Sequence, residues 1–164
     1  MTSNPLRKPD VALRFLVDFA QSNVDEFRRA ERARTVKRVG QFMDRERPGV
    51  AREWESSTAL AMFQSRALRT LNRLLTTKRV AVARNLTHWL INDDGHFRSD
   101  IVGPALDRFL YQMGRVLEEV GPDKLRKCPA CDRLFVKVTK KRFCSQRCQS
   151  RTYMRGYRKG RYDK

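Results

Sequence analysis

The sequence predicts an α+β chain, mainly α, built in two parts, and three observations predict it. Apolar residues recur at helical spacing through much of positions 1–122, an Asp94-Gly95 dipeptide separates two strand-forming runs, and four cysteines in two close pairs fall within positions 123–164. The expected architecture is a helical domain with a β-hairpin over residues 1–122. A small basic module over residues 123–164 follows, treble-clef-like in its order of turn, hairpin and helix.

The first helix follows Pro9 and carries Val11, Leu13, Phe15, Leu16 and Phe19 on a broad apolar face. A second is expected from Thr35, with Val36, Val39, Phe42 and Met43 on its apolar side and Arg47-Pro48-Gly49 to stop it. Overlapping its start, Arg28 to Arg38 holds six basic residues and one acid, a run that reads as a solvated helix face or loop. Ser57 suits the N-cap of the third helix, where its hydroxyl can accept a free first-turn N–H. Leu60, Phe63, Ala67, Leu71, Leu74 and Leu75 then follow at helical spacing. Leu86 to Asn92 and His96 to Val102 are the two strands of the hairpin, and Asp94-Gly95 suits the tight turn between them. The fourth helix opens with Pro104, whose missing N–H costs nothing in a first turn. Its stripe of Leu106, Phe109, Leu110, Met113, Val116, Leu117 and Val120 ends at Gly121-Pro122. The apolar faces of the third and fourth helices suit an internal core or a seam between two copies of the chain, so a homo-oligomer stays open. No motif names a small-molecule ligand for the helical domain.

Charge is the compositional outlier. Lys+Arg number 36 against 18 Asp+Glu, for a formal net charge of +18. From Lys124 onward there are 15 basic residues and only Asp132 and Asp163 as acids, a formal +13, which leaves +5 for residues 1–123. Such an excess attracts polyanions, nucleic acid first and an anionic membrane surface second. The first apolar run, Val11 to Ala20, is broken by Arg14 and Asp18, and a spanning helix needs about 20 mostly apolar residues. No membrane span or export signal is read, and the expected location is the cytoplasm. Disulfides are rare in that reducing compartment, so clustered cysteines point to metal.

The pairs are Cys128-Pro-Ala-Cys131 and Cys144-Ser-Gln-Arg-Cys148, with twelve residues between them. Two ligands on a short turn can aim both sulfurs at one ion. Leu134 to Val136 suits a strand, Thr139 to Lys141 a turn, and Arg142-Phe143 a returning strand. Ser145 can then cap a helix whose first turn presents Cys148. This spacing and thiolate softness predict one Zn2+ held by all four cysteines. An iron–sulfur cluster needs no such hairpin and helix. A redox dithiol at Cys128 and Cys131 leaves the second pair unexplained. Four thiolates leave no open coordination position for water, so the zinc is expected to be structural.

The final helix supplies the expected contact surface. At about 100° per residue, Arg147, Arg151, Arg155 and Arg158 share roughly a quarter of its circumference. Lys159 and Arg161 extend the charge past Gly160, and Tyr153 and Tyr157 lie on another face, where packing on the hairpin is expected. Guanidinium forks match phosphate oxygens, so these six basic residues are the expected nucleic-acid contacts.

The run Lys124-Leu125-Arg126-Lys127-Cys128-Pro-Ala-Cys131-Asp-Arg-Leu134-Phe135-Val136, followed by Arg142-Phe143-Cys144-Ser145 and Cys148-Gln-Ser-Arg151, resembles the CGNR-type zinc fingers of bacterial proteins. Gln149-Ser150 stands where that signature has Gly-Asn, and the second cysteine pair is one residue closer than in the family. Phe15-Leu-Val-Asp18-Phe19-Ala-Gln-Ser22 is similar to the opening of the ABATE domain that precedes such fingers. Leu71-Asn72-Arg-Leu74-Leu75 and the Asp94-Gly95 hairpin fall in the matching order. The resemblance implies a transcription regulator whose finger binds DNA.

Three other classes compete. A nuclease needs clustered histidines, and the sequence has only His88 and His96, both in the hairpin. No phosphate-cradling glycine loop and no nucleophile–base pair is evident, so no enzyme is expected. A protein-interaction adaptor would use the same module to dock an acidic partner. An RNA binder would stack bases on the tyrosines.

Overall fold

The computed structural model describes residues 5–23, 29–43, 57–77, 85–93, 96–138 and 140–162. The chain divides into two compact units, Met1–Val120 and Gly121–Lys164.

The first unit contains helices α1 (Pro9–Gln21), α2 (Arg29–Met43), α3 (Ser57–Thr77) and α4 (Ala105–Val120), with strands β1 (Thr87–Asp93) and β2 (His96–Val102) between α3 and α4. Helix α1 starts where Pro9 can occupy the first turn without losing a bond, and the Lys8 carbonyl accepts the N–H groups of Val11 and Ala12. At its end Ser22 closes on Phe19 O through both its N–H and its hydroxyl. The Gln64 side-chain amide of α3 donates to the carbonyls of Ala20 and Ser22, so the end of α1 is satisfied by its neighbour.

Helix α1 is central and packs on both α3 and α4. Ala12, Leu13, Phe15, Leu16, Val17, Phe19 and Ala20 are all buried, which accounts for the breadth of its apolar face. The core is organised around Phe109 of α4. Its ring centroid lies 5.9 Å from Phe19, 5.4 Å from Phe42 and 5.1 Å from Phe63. One aromatic from each of the four helices thus meets at a single point. Leu13, Leu60, Ala67, Leu71, Met113 and Val116 fill the space around them with no measurable exposure.

Helix α2 begins at Arg29, six residues earlier than Thr35, because the basic run continues it. Arg and Ala are strong helix formers, so the turn persists without apolar residues to bury. Only Val39, Phe42 and Met43 are buried in its second half. The run is largely solvated, as its charge suggests, but Arg38 sets its guanidinium 4.7 Å over the Phe15 ring. Strands β1 and β2 pair antiparallel with Asp93 opposite His96. The expected Asp94-Gly95 turn, the Arg47-Pro48-Gly49 stop and the side chains of His88 and His96 lie outside the described residues. Gly103 follows β2 because a Cβ there would meet the Asn85 carbonyl oxygen. Pro104 sits just before α4, and its carbonyl accepts the Arg108 N–H at 3.1 Å.

The second unit holds strands β3 (Leu125–Lys127) and β4 (Leu134–Val136) and helix α5 (Gln146–Tyr162). Gly121 opens it at φ 83°, ψ 160°, a region essentially closed to other residues. No described helix is long and apolar enough to cross a membrane.

Replacing Phe109 with Ala removes the ring that Phe19, Phe42 and Phe63 all touch. Denaturant unfolding of the full chain is expected to show a loss of about 3–5 kcal/mol in the first unit, with metal content unchanged.

Candidate metal centre

The hairpin of the second unit is not the one expected. Strand β4 pairs with β3, upstream of the first cysteine pair, with Leu125 opposite Val136 and Lys127 opposite Leu134. Arg142 and Phe143 form no returning strand. The physical reason is the turn itself. Cys128-Pro-Ala-Cys131 closes the β3–β4 loop through bonds from Cys128 N to Arg133 O at 2.8 Å and from Asp132 N to Cys128 O at 2.9 Å. Asp132 takes the left-handed conformation, φ 59°, that reverses the chain and that Asp tolerates better than most residues. Once the loop is closed, the nearest free edge for β4 is β3. The Lys137 N–H extends the pairing to the Lys124 carbonyl at 2.7 Å.

The second pair is set by the start of α5. Ser145 precedes the helix and its hydroxyl accepts the Cys148 N–H at 3.3 Å. Its carbonyl accepts the Gln149 N–H at 3.2 Å. This is an N-cap whose third helical position is a cysteine. Cys144 stands one residue before the cap and Cys148 within the first turn, so both sulfurs face back toward the hairpin loop.

The four sulfurs converge. All lie within 4.8 Å of one another, with Cys131 to Cys144 at 3.5 Å and Cys144 to Cys148 at 3.6 Å. None is in a disulfide. A tetrahedral ion with metal–sulfur bonds of about 2.3 Å has sulfur–sulfur edges of about 3.8 Å, close to these separations. Cys128 is buried and the other three are half-buried. The set therefore fits one metal ion, and no described His, Asp or Glu joins it.

The protons are unevenly held. Burial raises the Cys128 thiol, but hydrogen bonds from the backbone of Cys144 and Ala130 and from neighbouring thiols outweigh it and hold it down to about 6. Cys144 is pushed up to about 12, by burial first and then by the surrounding cysteines. Cys148 is lowered, chiefly by the Ser145 hydroxyl. The cluster thus keeps a proton on Cys144 at neutral pH while neighbouring sulfur carries negative charge. Cys148, the other lowered thiol, lies in the first turn of α5, where the helix dipole favours an anion.

The expected contact residues fall on α5. Arg147, Arg151 and Arg155 are exposed; Arg158, Lys159 and Arg161 lie on its last turns, and their side chains are outside the described ones. Tyr153 and Tyr157 do not pack on the hairpin: they are 66% and 63% exposed, and Met154 between them is 55% exposed.

No family model, no curated protein and no solved structure matches this chain. The likeness to CGNR-type fingers and to the ABATE domain is carried by the quoted residues alone.

Elemental analysis of purified protein is expected to find about one metal ion per chain, since one four-sulfur set is present. Cys144→Ser or a strong chelator is expected to unfold the second unit and leave the helical unit cooperative. Metal affinity is expected to rise with pH. Cys144 must lose its proton at any pH below about 12, and the Cys128 thiol takes up a competing proton below about 6. Calorimetric titration in buffers of different ionisation enthalpy counts the protons released at pH 7, and at least the Cys144 proton is expected. Ser145→Ala is expected to cost about 1 kcal/mol and to weaken metal binding through the lost cap.

Proposed function

We propose that the chain is a zinc-dependent nucleic-acid-binding protein, a DNA-binding transcription regulator without enzymatic activity of its own. The observation that carries this reading is the exposure of Arg147, Arg151 and Arg155 along one stripe of α5, with no acidic partner for any of them among the described residues. Zinc is the proposed metal because four thiolates at tetrahedral spacing select it over harder ions. A closed four-sulfur shell suits a structural role, and we read the module, a hairpin carrying one cysteine pair and a capped helix carrying the other, as treble-clef-like.

At about 100° per residue, the three arginines span roughly 80° of the helix, and Cys148 lies about 20° beyond Arg155. The metal-ligating turn therefore fixes where the stripe points. With a formal +13 over Lys124–Lys164, the module is suited to sequence-independent phosphate contact, which positions a protein on its target.

A second reading rests on a different observation. Tyr153, Met154 and Tyr157 are exposed; the tyrosines lie roughly 120–160° from the centre of the arginine stripe and Met154 about 60° from it. Aromatic rings so placed can stack on unpaired bases. This favours RNA or single strands over duplex DNA, and an apolar strip of this kind also suits a protein-adaptor role.

Binding of the metal-loaded chain to duplex DNA, single-stranded DNA and RNA across a salt series separates these readings. Replacing Arg147, Arg151 and Arg155 with Ala is expected to reduce the log–log salt slope for duplex DNA by about 2.7, from roughly 0.9 per lost phosphate contact, with metal content unchanged. Binding that is indifferent to salt and to all three arginines would move the function to the adaptor class. Loss of RNA or single-strand binding alone on Tyr153→Ala/Tyr157→Ala would favour base stacking.

A further inference from the structure

The second unit contains a basic cup that is neither the sulfur cluster nor the α5 stripe. Arg126, Lys127, Phe135, Lys137, Lys141 and Arg142 line about 260 Å3 of open space. Arg126 and Phe135 are direct cross-strand partners in the hairpin, so their side chains leave it on the same face. Phe135 is 9% exposed and supplies the apolar surface of the cup. Five cationic side chains supply the rest.

Two of the five are engaged at the surface. Arg126 pairs with Asp123 at 2.7 Å and Lys127 with Asp132 at 3.5 Å. The two acids are 88% and 83% exposed, so water screens both pairs. Lys137, Lys141 and Arg142 have no acidic partner among the described residues. Like charges gathered around one small space repel one another, and a bound anion relieves that repulsion. Arginine offers a planar fork and lysine a point charge, the two donor types that grip phosphate oxygens. The space is smaller than the clefts of about 300–1,000 Å3 that enclose whole small molecules. It suits one group of a longer ligand.

We propose that this cup is a phosphate-binding site that takes one phosphodiester of a polynucleotide, with the attached sugar or base against Phe135. The phosphate chemistry stands on the cup alone; the polynucleotide as its source rests on the function proposed above. Single-stranded contact by the hairpin and phosphate contact by α5 are then two separate anchor points of the same unit.

The test uses the full metal-loaded chain and Lys137→Ala/Lys141→Ala/Arg142→Ala, which leaves the sulfurs and the α5 arginines intact. Two measurements are made. The first is the salt slope for a single-stranded oligonucleotide, expected to fall by about 0.7 in the triple variant, the share of the one phosphate contact that is lost. The second follows the Phe135 ring and the Lys137 and Arg142 amides by NMR with inorganic phosphate and with thymidine 5′-monophosphate. Both probes are expected to move the amides, and only the nucleotide to move the ring. An unchanged slope together with unmoved cup signals would overturn the site while leaving the α5 reading in place. Cup signals that move with phosphate in a protein that binds no polynucleotide would retain the phosphate chemistry and overturn the polynucleotide as its source. Polyglutamate binding as strong as that of the oligonucleotide, with the Phe135 ring unmoved, would overturn the site in favour of an acidic peptide.

Discussion

The convergence of Cys128, Cys131, Cys144 and Cys148 is the constraint on which the second unit depends. Leu125, Cys128, Leu134 and Phe135 are its buried residues of apolar type among those described. A core of that size cannot offset the chain entropy of a segment of roughly 40 residues. Two short strands and one helix would not hold each other in place by apolar contact alone. The sulfurs come from both ends of the arrangement, one pair from the hairpin loop and one from the start of α5, so whatever joins them also joins hairpin to helix. Everything further along the helix inherits its position from that junction.

The two units solve the folding problem in opposite ways. The first gathers aromatics from four helices around Phe109 and closes helix ends with local bonds and with Gln64. Its stability is spread over many buried side chains. The second concentrates its order in four atoms and their hydrogen bonds. The Ser145 hydroxyl satisfies the Cys148 N–H and also lowers the Cys148 thiol, so the residue that starts the helix also prepares a ligand. Basic residues tolerated there would be costly in a unit held by apolar packing, because their mutual repulsion works against compaction.

Much of the helical unit is legible in the sequence because long periodic stripes specify helices with little ambiguity. Phe63, Leu71, Phe109 and Val116 lie in the core at the positions their spacing indicates. The start of α2 is not legible, since a charged run carries no apolar period and its helicity comes from propensity alone. The cysteine cluster and the Ser145 cap are legible from spacing and residue type. The partner of β4 is not: three-residue strands have too little pattern to reveal pairing, and the bonds that close the Cys128 loop are made by backbone groups common to every residue. The exposure of Tyr153 and Tyr157 departs from expectation for a related reason. Aromatics usually find a surface to cover, and how little surface the second unit offers becomes visible only once it is folded. The basic cup joins residues of two strands and a loop, and no linear motif marks it.

The geometry of α5 also limits how far its stripe can reach. At a rise of about 1.5 Å per residue, the distance from Arg147 to Arg158 is about 16 Å. One strand of B-form DNA advances about 3.4 Å per phosphate along its axis. In the nucleic-acid reading, a single copy therefore has a footprint of roughly five nucleotides. A stripe that touches only phosphates reads no sequence over that footprint, and even base contacts within about five nucleotides would define a site too short to be rare in a genome. Selectivity for one address would then have to come from doubling the ruler, with a second copy or a second module reading a neighbouring stretch at a fixed distance.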